Sequence, residues 1–155
     1  MGTALSKHRG GGPTLLTTAL SCYCHVYAAT GALHRPAYGR RGVTHIINLA
    51  DLPHSDTAYE FQGHHYDDAG VSFFLVDAPP GSGPKLHKHP YEEVFVVQEG
   101  TAMFTAGDDI IEASGGQIVV VPAGVPHKFV NSGAGRLRQI NIHSSERFIT
   151  EWLED

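Results

Sequence analysis

The chain has 155 residues, 41% of them apolar, and a formal net charge of −5 at pH 7. This length suits one domain with a sizeable core, and no apolar run is long enough to span a bilayer. A net negative charge gives no general reason to expect nucleic acid as a partner. We therefore expect a cytoplasmic protein without a nucleic-acid or membrane partner.

The first part of the chain differs from the rest in charge. Residues 1–50 contain basic side chains but no Asp or Glu. We interpret residues 1–43 as an N-terminal extension and residues 44–155 as the folded domain. The extension could be flexible, a structured arm, or the product of a misplaced start. A secretory signal is a further alternative, although polar residues interrupt its apolar stretch at 15–26.

From residue 44 onward the pattern is that of an all-β protein. Apolar and β-branched runs recur about every ten residues with Gly, Pro and Asp between them, which is typical of a sandwich or barrel. The predicted strands are 45–49, 61–66, 71–77, 93–98, 101–106, 110–113, 117–121, 127–131 and 136–142. Several of these strands are apolar on both faces, and a homodimer is the simplest explanation for a second apolar face.

The end of the chain has the spacing of a short helix. Ser144 or Ser145 could cap it, and the apolar residues that follow lie near i, i+3 and i+4. These residues are Phe148, Ile149, Trp152 and Leu153. We interpret Trp152 as an apolar cover or interface anchor and not as a substrate contact.

Three potential metal ligands lie close together in the sequence. His87, His89 and Glu93 are all odd-numbered, so on an unbroken strand they would project from one face. A second strand could bring His127 opposite them. Imidazole and carboxylate ligands suit divalent Fe, Mn, Co, Ni, Cu or Zn. A tetrahedral ion would have no open position with four protein ligands, whereas an octahedral ion would keep two.

The segments around these residues resemble the two sequence motifs of the cupin superfamily, and the chain is most similar to its small single-domain (cupin 2) type. The first motif is present as Gly81, His87, His89, Glu93 and Gly100, and the second as Gly116, Pro122, Gly124, His127 and Asn131. The resemblance implies a double-stranded β-helix, or jelly-roll, barrel. It also implies that the three histidines and Glu93 bind a divalent metal inside the barrel, while Asn131 has a structural role.

Further residues are candidates for the pocket lining. Phe95 lies two residues after Glu93, and Phe129 lies two residues after His127. On a strand, each phenylalanine should therefore point to the same side as that ligand, which is inward. Gln139, Asn141 and His143 share one face of the last long strand. That face could line the cavity or point at solvent.

The complete ligand set favours a metal-dependent enzyme that acts on a small oxygenated organic molecule, for example as a dioxygenase. A redox-neutral lyase or isomerase is one alternative, because an open octahedral ion can act as a Lewis acid. A non-catalytic barrel that binds or senses a small molecule is the other. The sequence assigns no catalytic residue and does not choose the metal.

Overall fold

The computed structural model describes residues 44–154, so the predicted extension at 1–43 lies outside the described residues. The described chain folds into ten strands. They are β1 (Ala58–Gln62), β2 (Ser72–Ala78), β3 (His87–Lys88), β4 (Glu93–Glu99), β5 (Thr101–Ala106), β6 (Asp109–Ser114), β7 (Ile118–Val121), β8 (His127–Asn131), β9 (Leu137–His143) and β10 (Glu151–Trp152).

The strands form two five-stranded antiparallel sheets. The first sheet has the order β1-β2-β9-β4-β7, and the second has the order β10-β3-β8-β5-β6. Strands that are distant in sequence, such as β2 and β9, therefore become neighbours. The all-β prediction is confirmed. Within residues 44–154, no helix is long and apolar enough to cross a membrane.

The hydrophobic core lies between the inner faces of the two sheets. From Glu93 to Val97 on β4 the odd-numbered residues are buried and the even-numbered ones are less so, as expected for a strand with one inner face. The rings of Phe95 and Phe104 meet edge to face with centroids 5.0 Å apart, which is a favourable geometry for aromatic pairs. Phe129 from β8 completes this group, with its centroid 5.9 Å from that of Phe95.

Gly83 packs closely against strand β8. A Cβ atom at this position would lie 1.9 Å from the carbonyl oxygen of Phe129. We expect Gly83→Ala to lower the free energy of unfolding by about 3 kcal/mol or more, because backbone must move to relieve the overlap. Denaturant titration measures this loss. The control is Gly70→Ala, where a Cβ would meet nothing within 4 Å. Equal stability of the two variants would contradict the prediction.

Two predicted strands differ from the structure near the start of the domain. The prediction at 45–49 is wrong, since this segment is irregular and leads into a 3₁₀ turn at Leu49–Asp51. The prediction at 61–66 overlaps β1 only at its beginning, because the pairing of β1 with β2 ends at Gln62. The chain then turns through a 3₁₀ segment, Gly63–His65. The apolar composition of these two segments did not show whether a neighbouring strand was available to pair with them.

The predicted C-terminal helix is wrong. Residues Glu151 and Trp152 instead form β10, which pairs with Lys88 and His87 of β3. The Leu153 amide also donates to the Leu86 carbonyl at 2.9 Å. The short strand β3 has a free edge beside the site, and the terminal segment satisfies its backbone groups there, so pairing outweighs a marginal helix.

The outer face of the first sheet is apolar across all five strands. Its outward positions, which pair with one another in register, are Tyr59, Phe61, Phe73, Leu75, Val94, Val96, Ile118, Val120, Ile140 and Ile142. On the edge strand β7, Ile118 is 64% exposed and Val120 is 61% exposed. The outer face of the second sheet is mixed, because it carries charged residues such as Lys128 and Glu112. Within residues 44–154, only the first sheet therefore presents a continuous apolar surface, which we call the apolar face.

Candidate metal centre

Four buried side chains converge at one end of the space between the sheets. His87 on β3 pairs directly with His127 on β8 in the second sheet. Glu93 begins β4 in the first sheet, and His89 lies in the connection between the sheets. One ligand atom from each of these four residues lies within 4.8 Å of the others, a spacing that could hold a metal ion.

The ligands meet because the chain changes sheets between His89 and Glu93. The parity argument assumed an unbroken strand, but β3 ends at Lys88 and β4 belongs to the other sheet. Pro90 lacks an amide hydrogen, so it suits a position between two ladders. The His89 carbonyl accepts a hydrogen bond from the Gly124 amide at 2.8 Å, which fixes the crossing against the turn before β8.

Each of the three histidines is oriented by a backbone carbonyl. Nδ1 of His87 lies 2.7 Å from the Lys85 carbonyl oxygen, and Nδ1 of His127 lies 2.8 Å from that of Val125. Nδ1 of His89 lies 2.8 Å from the carbonyl oxygen of Ile149, in the C-terminal segment. A carbonyl oxygen only accepts, so each Nδ1 carries the hydrogen. In the neutral ring, Nε2 then keeps its lone pair for a metal ion. A hydrogen bond from the other ring nitrogen to a carbonyl oxygen is the usual support for a metal-binding imidazole.

The Nε2 atoms approach one carboxylate oxygen. Oε2 of Glu93 lies 2.8 Å from Nε2 of His127 and 3.2 Å from Nε2 of His89. Two donor atoms bound to one ion at about 2.1 Å, at a right angle, lie about 3 Å apart. Nε2 of His89 is also buried without a hydrogen-bond partner among the described residues. Because an unpartnered buried nitrogen is costly, the donor set fits a metal ion.

The charges of the site are set by burial and by the Glu93 contacts. Burial alone would raise the pKa of Glu93, but His127, His143 and His89 together hold it well below its usual range. Burial lowers the pKa of His127, but the Glu93 carboxylate outweighs this and the net pKa is raised. Burial lowers the pKa of His87, and the Lys85 carbonyl only partly offsets it. These shifts favour an ionised Glu93 carboxylate, a proton between that carboxylate and His127, and a neutral His87.

His143 lies on the other side of the carboxylate. Its Nε2 is 3.2 Å from Oε1 of Glu93, the oxygen that does not face the other histidines. The ring is fully buried, and neither of its nitrogens has a hydrogen bond of good geometry within residues 44–154. Aromatic rings enclose it, with the Phe148 centroid at 4.8 Å and the Phe74 centroid at 5.8 Å. His143 is therefore placed to hold one carboxylate oxygen while the other faces the histidines.

A cavity of about 530 Å³ opens from this cluster. Of the predicted lining residues, Phe129 and His143 border the cavity, whereas Phe95, Gln139 and Asn141 do not. Phe95 belongs to the hydrophobic core. The amide of Gln139 donates to Asn141 Oδ1 at 2.8 Å, so this buried pair satisfies part of its hydrogen bonding internally.

Asn131 supports the backbone next to the cavity. Its side-chain amide donates to the carbonyl oxygens of Ala78 and Gly135 at 3.0 and 2.8 Å, and its Oδ1 accepts from the Gly133 amide at 3.0 Å. These bonds join the end of β8 to the end of β2. The structural role implied by the sequence motif agrees with this geometry.

Sequence reasoning missed the contribution of the C-terminal segment to the site. Trp152 and Thr150 line the cavity, and the Trp152 ring centroid lies 5.1 Å from that of His87. Phe148 stacks on Phe74 with centroids 4.3 Å apart. The apolar spacing of this segment was visible, but it was consistent with a helix. No local signal indicated that its backbone would pair with β3.

Comparison with known proteins identifies the domain. The family model described as "Cupin domain" matches residues 74–143. An uncharacterised protein of Methanocaldococcus jannaschii is 36% identical over 67 residues, which cover 41% of this chain and 54% of that protein. An uncharacterised protein of Streptomyces coelicolor is 37% identical over 59 residues, which cover 38% of this chain and 54% of that protein. The matched segment thus spans about half the length of these relatives.

Solved structures share the fold. A variant of Bacillus subtilis oxalate decarboxylase superposes with a TM-score of 0.58 at 20% identity, covering 66% of this chain and 30% of that one. The same enzyme determined at pH 4.6 gives a TM-score of 0.59 at 20% identity and covers 66% and 29% of the two chains. At this identity the likeness shows the fold alone. Together with the family model over residues 74–143 and the two-sheet architecture, it supports a cupin domain in this chain.

Proposed function

We propose that His87, His89, Glu93 and His127 bind a divalent transition-metal ion and that the protein is a metal-dependent cupin acting on a small oxygenated organic molecule. One observation carries the proposal. All three histidines direct Nδ1 to a backbone carbonyl, which leaves three Nε2 atoms and one carboxylate for a common ion. A cavity of about 530 Å³ beside them provides room for an organic ligand.

The chemistry divides between the ion and the chain. A bound ion would supply a Lewis acid for a chelating oxygen ligand, or a redox centre where the ion is redox-active. The carbonyls of Lys85, Val125 and Ile149 hold the imidazoles in the tautomer that such an ion needs. Among the described lining residues, His143 is the titratable group outside the four ligands, so it is the candidate to hold a proton beside a bound ligand.

Metal analysis and oxygen uptake test this proposal. The natively produced protein should contain about one divalent ion per chain by elemental analysis, with metal loss on chelation. Oxygen uptake with a panel of enols and catechols would support a dioxygenase. Product formation without oxygen uptake would support a lyase or isomerase. Ligand binding without turnover would support a binding or sensing role, and absence of any stoichiometric ion would overturn the proposal.

Metal affinity should rise with pH. Against the effect of burial, the Glu93 carboxylate raises the pKa of His127, so Nε2 in the metal-free protein holds a proton up to a higher pH than a free imidazole does, and an ion must displace this proton. Below that pKa the apparent affinity is therefore expected to fall about tenfold per pH unit for one proton displaced. His87 contributes little near neutrality, because its pKa is lowered. Competition with a chelator of known pH dependence measures this slope, and an affinity independent of pH between 5 and 7 would contradict it.

His143→Ala should weaken metal binding without abolishing it. The substitution removes the group beside Oε1 of Glu93, so the carboxylate loses a partner that fixes its orientation. Residues that support a ligand in this way typically contribute 10- to 100-fold to metal affinity. Calorimetric titration with Mn(II) measures the change. His65→Ala, an exposed histidine outside the site, is the control and should bind like the parent protein. Unchanged affinity in His143→Ala would show that Glu93 needs no such support.

We also propose that the chain forms a homodimer through the apolar face. The apolar face spans five strands, and patches of this kind on soluble proteins usually mark interaction sites. An apolar sheet surface can pack against a second copy of itself, because two such faces meet without unpaired polar groups. The outer face of the second sheet is mixed and offers no comparable apolar surface.

A further inference from the structure

We infer that the cavity takes a largely apolar ligand that binds through a single ionisable chelating group, such as a β-diketone, an enol or a substituted catechol, and that it selects against small dicarboxylates. This inference rests on the proposed function, because it assumes an ion on the four ligands. It adds a chemical class of ligand, derived from the charge and lining of the cavity.

The charge of the site favours a monoanionic ligand. Neutral imidazoles, one divalent ion and the Glu93 carboxylate leave one net positive charge. A ligand that loses one proton to the solvent on binding would neutralise that charge. A dianion such as oxalate would leave one uncompensated negative charge, and none of the described lining residues is a Lys or Arg that could pair with it. Burying an unpaired charge is costly.

The size and surface of the cavity favour an apolar body on the ligand. Its volume of about 530 Å³ corresponds to roughly 18 water molecules at ~30 Å³ each, far more than a two-carbon acid fills. Most of the wall surface is apolar, and Phe74, Val76, Phe129 and Trp152 are among the side chains that contribute to it. An aryl or alkyl group on the ligand would bury this surface and release water from it.

Apart from the four ligands and His143, the polar side chains of the wall are uncharged hydroxyls. They come from Ser55, Thr57, Ser82 and Thr150. A hydroxyl can donate to or accept from a neutral oxygen of the ligand, but it does not supply the full charge that a second carboxylate requires. The wall therefore suits a ligand whose remaining polar atoms are neutral.

Titration of the Mn(II)-loaded protein under argon tests the inference. Calorimetry compares benzoylacetone, an aryl-substituted β-diketone, with oxalate and malonate, and the same three compounds are titrated into free Mn(II). Relative to the free ion, we expect the protein to favour benzoylacetone over oxalate by at least about tenfold. A preference equal to that of the free ion, or a preference for oxalate, would overturn the ligand class. Failure to take up Mn(II) or any other divalent ion would instead overturn the proposed function and this inference with it.

A charge placed in the cavity provides a second test. Val76→Arg puts a cation on the wall and should reduce or reverse the preference for benzoylacetone over oxalate. Val130→Arg carries the same change on the outer face of the second sheet and should bind both compounds like the parent protein. Metal content and thermal stability of both variants show whether they are folded. An unchanged preference in folded, Mn(II)-loaded Val76→Arg would contradict the role assigned to the uncharged wall. If the variant misfolds, the comparison of the compounds on the parent protein decides the question.

Discussion

Replacing His127 with alanine is expected to abolish stoichiometric binding of a divalent ion. His127 supplies one of four converging ligand atoms, and it contacts the same Glu93 oxygen as His89 does. Removal of a residue that merely supports a ligand costs 10- to 100-fold in affinity, so loss of a ligand itself should cost more than about 100-fold. Elemental analysis after dialysis and calorimetric titration with Mn(II) measure the effect.

A second ligand variant and a control variant test whether this result is specific to the site. His89→Ala should have the same effect, because its Nε2 also faces Glu93 Oε2. His65→Ala should retain full metal content, because this histidine is exposed and lies outside the cluster. Full metal content in folded His127→Ala or His89→Ala would contradict the ligand assignment. Thermal unfolding of each metal-free variant separates loss of the ligand from loss of the fold.

The residues of the candidate site could be predicted from the sequence, but the way they come together could not. The spacing of His87, His89 and Glu93 suggested one face of one strand. In the structure β3 ends before His89, and Glu93 begins a strand of the other sheet. The side chains therefore lie close together for a reason other than the predicted alternation. Alternation describes a single strand, whereas a change of sheet depends on pairing with strands far away in sequence.

Turn positions could be predicted more readily from the sequence, because the backbone conformation of a turn restricts which residue can stand there. Gly100 has a φ of +86°, and a Cβ atom there would lie 2.6 Å from the Arg136 carbonyl oxygen. Glycine is the residue that meets both conditions at little cost. The other glycines that border the two motifs, Gly81, Gly116 and Gly124, also have positive φ. A backbone requirement of this kind is visible in the identity of one residue.

The C-terminal segment illustrates the opposite case. Its apolar spacing fits a helix, and the alternative depends on groups that the segment itself does not contain. One is the open edge of β3, which pairs with Glu151 and Trp152. The other is Nδ1 of His89, which needs an acceptor and finds the Ile149 carbonyl. Short helices are marginal without tertiary support, so these distant partners decide the conformation.

A charge at the centre of the apolar face should prevent dimer formation. Ile140 lies on the central strand β9, between Leu75 of β2 and Val96 of β4. Its side chain points outward and is partly exposed, so an aspartate would reach water in a monomer but would be buried without a partner in the proposed dimer. At a cost of about 3 kcal/mol for burying each of the two aspartates in the dimer, Ile140→Asp is expected to weaken dimerisation by about four orders of magnitude. Sedimentation equilibrium over a range of protein concentrations measures the dissociation constant.

A change to aspartate on the other sheet shows whether the loss of the dimer depends on the apolar face or on the added charge alone. Val130→Asp places an aspartate on the outer face of β8, opposite Met103, where no interface is proposed. It should leave the dimer intact, since its neighbours on that face already include the charged Lys128. A parent protein that stays monomeric at high concentration would contradict the dimer. A folded Ile140→Asp that still dimerises would show that two copies associate through another surface. An unpaired aspartate at the centre of a dry interface opposes association however the two faces pack.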